Sequence, residues 1–171
     1  MEELVLETHV GELLRQQNLK LAVAESCTGG LIGHRITNVP GASEYYLGSV
    51  TAYAYEAKER LLGVKHETLV QFGAVSPETV YEMARGIRQA LAADFPIEQT
   101  VGVAVSGIAG PGGGMPGKPV GLVWMAISTP QGDWAYQTIY KGDRLEVKSQ
   151  TAQSALLLLE DYLSGHVPPT R

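Results

Sequence analysis

A short apolar run, Leu19 to Ala24, leads into Glu25-Ser26-Cys27-Thr28-Gly29-Gly30. A hydroxyl and a thiol side by side at a strand-to-helix turn could do nucleophilic chemistry. Free backbone N–H groups at a helix N-terminus can hold an anion or a developing oxyanion. The two glycines let the backbone approach a ligand closely. The ordinary alternative is that Ser26 or Thr28 simply caps the helix. Cys27 is the rival nucleophile, since a lone cysteine in an intracellular enzyme can play that part. More often such a cysteine is a small buried hydrophobe.

A serine nucleophile needs a base. None of the four histidines, His9, His34, His66 and His166, sits in a recognisable motif, and metal-ligand spacing is absent. Lys58 lies just beyond a Tyr- and Val-rich stretch that ends near Tyr53. A lysine can deprotonate a serine if burial lowers its pKa enough to leave it neutral. By spacing alone, Lys58 reads as a solvated lysine on an amphipathic helix and Tyr53 as a strand aromatic.

A second stretch with binding chemistry is Ser106-Gly107-Ile108-Ala109-Gly110-Pro111-Gly112-Gly113-Gly114. Gly112, Gly114 and Gly117 match G-x-G-x-x-G, but Lys118-Pro119 and a strand follow where the dinucleotide fingerprint requires a helix. Residues 112–119 nearly fit a P-loop, yet Pro119 stands where the hydroxyl residue belongs. A glycine-dense loop at a strand end can still cradle a phosphate with backbone N–H groups. A long hairpin connection is the competing reading.

These residues need a scaffold. The 171 residues suggest one domain, expected over residues 1–165 with a frayed tail at 166–171. Hydrophobic residues make up 44% and charged residues 18%, a globular composition. The net charge of −5 argues against general nucleic-acid binding, while leaving room for one basic pocket. A single cysteine excludes an intrachain disulfide and a Cys-rich zinc site. No apolar run reaches the ~18 residues of a membrane span, and the acidic Met1-Glu2-Glu3 start is unlike a signal peptide. The expected location is the cytoplasm.

Apolar periodicity predicts a helix over 2–17, a strand over 19–24 and a second helix to about Thr37. A strand is predicted over 44–54, then a short helix carrying Lys58 and stopping near Gly63, then another over 66–72. Ser76 as N-cap and Pro77 at the first helical position open a helix striped by Val80, Met83, Ala84, Ile87 and Leu91. Strands are predicted over 100–105, 120–128 and 134–140, with Gln131-Gly132 turning between the last two. Asp143 could cap a final helix with a stripe of Ala152, Ala155, Leu156, Leu159 and Leu163. The order gives an α/β fold: a mixed β-sheet covered by helices.

Several segments together resemble the CinA C-terminal domain family. Ala24 to Gly30 is similar to its A-E-S-C-T-G-G signature, and Gly73-Ala74-Val75-Ser76 to its G-A-V-S segment. Ser106 to Gly114 resembles its [ST]-G-I-A-G-P-x-G-G loop, Lys118-Pro119-Val120-Gly121 with Val123-Trp124 its K-P-V-G-x-V-W strand, and Gly142-Asp143-Arg144 its G-D-R helix start. The match runs from about residue 4 to 163, and the joint occurrence in order is specific where each piece alone is not.

The resemblance implies a nicotinamide-nucleotide amidohydrolase that converts nicotinamide mononucleotide to nicotinic acid mononucleotide and ammonia, with no metal and no cofactor. It implies Ser26 as nucleophile, assisted by Tyr53 and Lys58. Cys27, Thr28, Gly29, Gly30, Ser106, Gly107, Gly110, Gly112 and Gly113 become candidates for binding substrate, and Arg144 for the phosphate. A stand-alone form of the domain and a homo-oligomer, such as a dimer, are also expected, with neither nucleic acid nor membrane as partner. One departure stands out. The family commonly reads Y-S-N-E-A-K, and this chain reads Tyr53-Ala54-Tyr55-Glu56-Ala57-Lys58. A catalytically silent nucleotide-binding module draws its support from that change; an oligomerisation scaffold explains the apolar segments but not the clustered motifs.

Overall fold

The computed structural model describes residues 5–92 and 94–166. Helix α1 (Val5–Gln16) leads into strand β1 (Lys20–Glu25). Helix α2 (Leu31–Thr37) connects it to β2 (Tyr46–Thr51), and helices α3 (Tyr55–Leu62), α4 (His66–Phe72) and α5 (Pro77–Ala92) precede β3 (Thr100–Gly107). A hairpin of β4 (Leu122–Thr129) and β5 (Gly132–Ile139) and the long helix α6 (Arg144–Leu163) complete the chain. The five strands form one sheet in the order β2-β1-β3-β4-β5. β1 runs parallel to β2 and β3, while β3, β4 and β5 are antiparallel neighbours. The expected mixed sheet is therefore observed, covered by helices on both faces.

The two faces differ in side-chain size. Leu21, Val23, Val101, Val103, Val105, Val123, Met125 and Ile127 face a core shared with α1, α2 and α6. Ala22, Ala24, Ala104, Ala126 and Ala135 face α5. Small residues on that side let α5 lie close to the sheet; a Cβ on Gly102 would sit 2.3 Å from the Ala84 carbonyl oxygen. Period-two alternation of large and small apolar residues thus sets the spacing of each layer.

The closest helix contact positions the candidate base. A Cβ on Gly86 of α5 would lie 1.8 Å from the Leu62 carbonyl oxygen, at the end of α3. Glycine here lets α3 press its last turn against α5, which fixes where Lys58 sits. The αL conformation of Gly63 ends α3 at once. The helix starts at Ser76 and Asp143 are as expected. Ser76 Oγ accepts from the Thr79 N–H, and Asp143 forms a capping box with Glu146.

The last two strands run Leu122–Thr129 and Gly132–Ile139 rather than 120–128 and 134–140, and two further features differ from the sequence reading. The strand expected over 44–54 is β2, only Tyr46–Thr51. Residues 42–44 form a 3-10 turn, and 52–54 leave the sheet, although Ala and Tyr there look strand-like. The β4–β5 turn is centred on Pro130-Gln131 rather than Gln131-Gly132, because Gly132 already pairs with Thr129. The Thr129 hydroxyl accepts from both the Gln131 and Gly132 N–H groups and closes the turn. The tail beyond His166 lies outside the described residues. Among those described, no helix is long and apolar enough to cross a membrane.

Candidate active site

The carboxyl ends of the three parallel strands converge. Glu25 of β1 is in register with Thr51 of β2 and Val105 of β3. Ser26, Ala52 and Ser106 therefore follow side by side at the top of the sheet, where α/β folds place their ligands. Ser26 and Ser106 are both buried.

Lys58 comes to this point from α3. It is the fourth residue of the helix, and helical side chains lean toward the N-terminus. Its ammonium carbon stem is enclosed, leaving the residue 1% exposed. Nζ lies 2.9 Å from Ser26 Oγ, 2.8 Å from the Ala52 carbonyl oxygen and 3.1 Å from the Tyr53 carbonyl oxygen. Burial lowers its pKa from 10.5 to about 8, partly offset by the neighbouring Cys27. The solvated-lysine alternative is thereby overturned. A neutral amine has two N–H bonds and one lone pair. As an ammonium, Nζ donates to Ser26 Oγ and to both carbonyls; once deprotonated it keeps its two N–H bonds on the carbonyls and turns its lone pair to the Ser26 hydroxyl.

Cys27 is a poor rival. It is buried, and burial pushes its thiol up to about 12, so it stays protonated. The Tyr53 side chain, 60% exposed, accepts a hydrogen bond at its hydroxyl from Arg144 Nη2 at 2.8 Å. Its link to Lys58 is through its carbonyl. Arg144 Nη1 donates to the Gly110 carbonyl at 2.7 Å. The first residue of α6 therefore ties Tyr53 to the glycine loop.

Capping by Ser26 or Thr28 does not occur. The N-cap of α2 is Gly30, in the αL region, with no side-chain cap bond. Glu25, which sequence reasoning overlooked, takes that part from inside the fold. Its fully buried carboxylate accepts from Thr28 Oγ1 (2.6 Å) and from the N–H groups of Gly30 (3.0 Å), Ile32 (3.1 Å) and Gly33 (2.9 Å). The expectation that the α2 N-terminus itself receives an anion is corrected: Glu25 already occupies it. The Gly29 N–H donates to Ser26, and Leu31 to Thr28. Among the described residues no backbone carbonyl accepts from the Cys27 or Thr28 N–H groups, and the Cys27 N–H lies against its own thiol. A buried acid closing an apolar strand beside Gly-Gly was the available signal for Glu25, because a charge is buried only where donors surround it.

The remaining expected residues divide. Gly29 and Gly30 have φ of 62° and 101° and complete the turn beside Ser26. Gly107 lies in β3 opposite Val123. Gly110 precedes a cis Pro111 and is held by Arg144. Gly112 and Gly113 stand on the exposed stretch of the loop, and no hydrogen bond joins them to the Ser26–Lys58 pair. A hollow of about 270 Å³ lies where Ala109, Gly110 and Val120 of the loop face Gly142, Arg144 and Leu145. No group of three His, Cys, Asp or Glu side chains that could hold a metal occurs among the described residues.

Comparison with known proteins agrees with this architecture. The CinA C-terminal domain profile matches residues 3–163. A protein of Moorella thermoacetica named as competence-damage inducible is 49% identical over 154 residues, covering 90% of this chain and 36% of that protein. A CinA-like protein of Desulfotalea psychrophila is 46% identical, covering 90% of this chain and 36% of that protein. The chain thus spans little more than a third of the length of these curated relatives. Among solved structures, a competence-damaged protein (CinA) superfamily protein of Klebsiella pneumoniae superposes with a TM-score of 0.88 at 32% identity, covering 96% of this chain and 99% of that one. The competence/damage inducible protein CihA of Agrobacterium tumefaciens gives 0.77 at 37% identity, covering 91% and 96%. With a profile match over almost its whole length, the chain belongs to the CinA C-terminal domain family.

Proposed function

We propose that this domain is an amidohydrolase that deamidates nicotinamide mononucleotide, with Ser26 as nucleophile and Lys58 as its base. The observation that carries the reading is the Lys58 amine, buried with no carboxylate partner among the described residues and 2.9 Å from the Ser26 hydroxyl. A lysine in that setting reaches its neutral form near physiological pH, as a general base must.

In the proposed cycle, Ser26 Oγ attacks the carboxamide carbon as Lys58 takes the hydroxyl proton. The C=O electron pair moves onto oxygen, and the Cys27 and Thr28 N–H groups receive the oxyanion. Lys58 returns the proton to the nitrogen, the C–N bond breaks, and ammonia leaves an acyl-Ser26 ester. Lys58 then takes a proton from water, whose oxygen attacks the ester. As the C–Oγ bond breaks, Lys58 returns that proton to Ser26 Oγ, which releases the carboxylic acid and restores both the serine and the neutral amine. The silent-binder alternative drew on Ala54-Tyr55, and the Lys58 contacts are complete with those residues in place.

Incubation with nicotinamide mononucleotide tests the reading by ammonia release and by the mass gain of about one unit on deamidation. Ser26→Ala is expected to abolish release while remaining folded, and Cys27→Ala to retain it. Full turnover by the Ser26 variant, or none by the unaltered protein, overturns the proposal.

A further inference from the structure

Three basic side chains stand near the site: Lys58 on Ser26, Arg144 between Gly110 and Tyr53, and Lys148 beside Gly29. None of them forms an ion pair among the described residues. The nearby carboxylates are committed elsewhere. Glu25 accepts four bonds from its own turn. Asp143 and Glu146 face the backbone of the α6 start. In a chain of net charge −5, Arg144 and Lys148 place positive charge beside a Lys58 amine that works in its neutral form, and a local excess of this kind favours an anion.

The three differ in what they can still bind. Lys58 serves Ser26 and two carbonyls. Arg144 spends both terminal nitrogens on Gly110 and Tyr53, holding the loop and the tyrosine together. Lys148, one turn along α6 on the same face as Arg144, forms no hydrogen bond and no ion pair within the described residues. It is partly buried. Its Nζ lies 3.7 Å from the position a Cβ would occupy on Gly29. Its charge is felt at Cys27, where it favours the thiolate. The glycine leaves open the space beneath the ammonium.

Resting on the amidohydrolase reading, we propose that Lys148 binds the monophosphate of the substrate over the Gly29 turn and so makes the site prefer the nucleotide to the nucleoside. A compact ammonium with three free donors suits a dianionic phosphate as a point charge. Arg144 then acts as a positioning residue rather than the principal phosphate ligand.

The test uses Lys148→Gln and Lys148→Arg, with nicotinamide mononucleotide and nicotinamide riboside as paired probes. Calorimetry in a Ser26→Ala background reads binding without turnover, and steady-state kinetics read KM against kcat. Lys148→Gln is expected to weaken mononucleotide binding by about 10- to 100-fold, the range for losing a charge-assisted bond. The loss should fall on KM more than kcat, be much smaller for the riboside, and be largely rescued by Lys148→Arg. Equal losses for both probes, or no loss, overturn the assignment. A protein that binds the mononucleotide through Lys148 but releases no ammonia overturns the amidohydrolase reading and leaves the binding assignment standing.

Discussion

The Lys58 amine and the Ser26 hydroxyl lie 2.9 Å apart although 32 positions separate them in the chain. The contact needs two elements to end together. β1 delivers Ser26 at its carboxyl end, and the backbone of residues 52–54 turns out of the sheet so that α3 can return Lys58 to it. Two carbonyls exposed by that departure, Ala52 and Tyr53, orient the amine.

On the proposed mechanism, activity follows the charge of Lys58. The proposed base must be neutral, and burial places its pKa at about 8. The kcat/KM is expected to rise about tenfold per pH unit below that value and level off above it. Lys58→Ala should lower kcat by roughly 10²–10⁴, the usual loss on removing a general base. Linkage gives a second sign. The folded-state pKa lies below the unfolded value of 10.5, so between about 8 and 10.5 the unfolded chain binds more protons. The Lys58 contribution to stability should therefore increase as pH rises through that window. Denaturation curves of the parent and Lys58→Met, collected across pH, check this; parallel pH dependences would contradict it.

Glu25 should matter to the fold before it matters to chemistry. Its carboxylate holds three backbone N–H groups and the Thr28 hydroxyl, with Ile32 and Gly33 inside the buried start of α2. Each unsatisfied buried donor costs about 1–3 kcal/mol. Glu25→Ala is expected to destabilise by at least about 3 kcal/mol. Glu25→Gln keeps one oxygen but turns an NH₂ toward a donor, so it should fall between. Chemical denaturation measures both, and an Ala variant as stable as the parent would refute this role.

Much of the architecture was legible because burial imprints a period. The stripes of α5 and α6 and the apolar runs of β1, β3 and β4 mark their elements, and Ser76 and Asp143 mark two helix starts. The candidate site was marked by the resemblance to a family rather than by local physics. Spacing alone favours capping at Ser26 and a solvated Lys58, because neither the 2.9 Å contact nor the burial of Lys58 has a local signature. Glu25 was missed for a related reason. Its backbone partners lie five to eight residues ahead, beyond the reach of an ordinary cap, and only the curl of the turn gathers them. Lys148 reads as one more lysine on an amphipathic helix until the Gly29 turn is laid beside it.

Gly86 offers a prediction whose sign opposes helix propensity. In an exposed helix interior, Gly→Ala stabilises by about 1 kcal/mol. Here the added methyl would lie 1.8 Å from the Leu62 carbonyl oxygen. Gly86→Ala must push α3 away from α5, and overpacking of this kind costs about 1–3 kcal/mol. Because α3 carries Lys58, kcat should fall as well, with the mononucleotide KM less affected. Stabilisation on thermal melting would show that α3 is not pinned by this contact.

The Ala54-Tyr55 departure has a physical consequence at α3. Ala54 is the N-cap residue, in extended conformation with no side-chain bond to the first turn. A serine there can accept from an N–H of that turn, and such caps contribute about 0.5–2 kcal/mol. Tyr55 compensates in part by accepting at its hydroxyl from the Ala74 N–H, tying α3 to the segment before α5. Ala54→Ser is therefore expected to raise stability by about 0.5–2 kcal/mol without displacing Lys58. Tyr55→Phe should remove the tie at a cost of about 0.5–1.5 kcal/mol, the net worth of one hydrogen bond. The sites are adjacent in the chain but use separate partners, so the two effects should add in the double variant. A stability gain from Ala54→Ser with kcat preserved would place the departure in helix capping. A large change in kcat without any change in stability would place it instead in the orientation of Lys58.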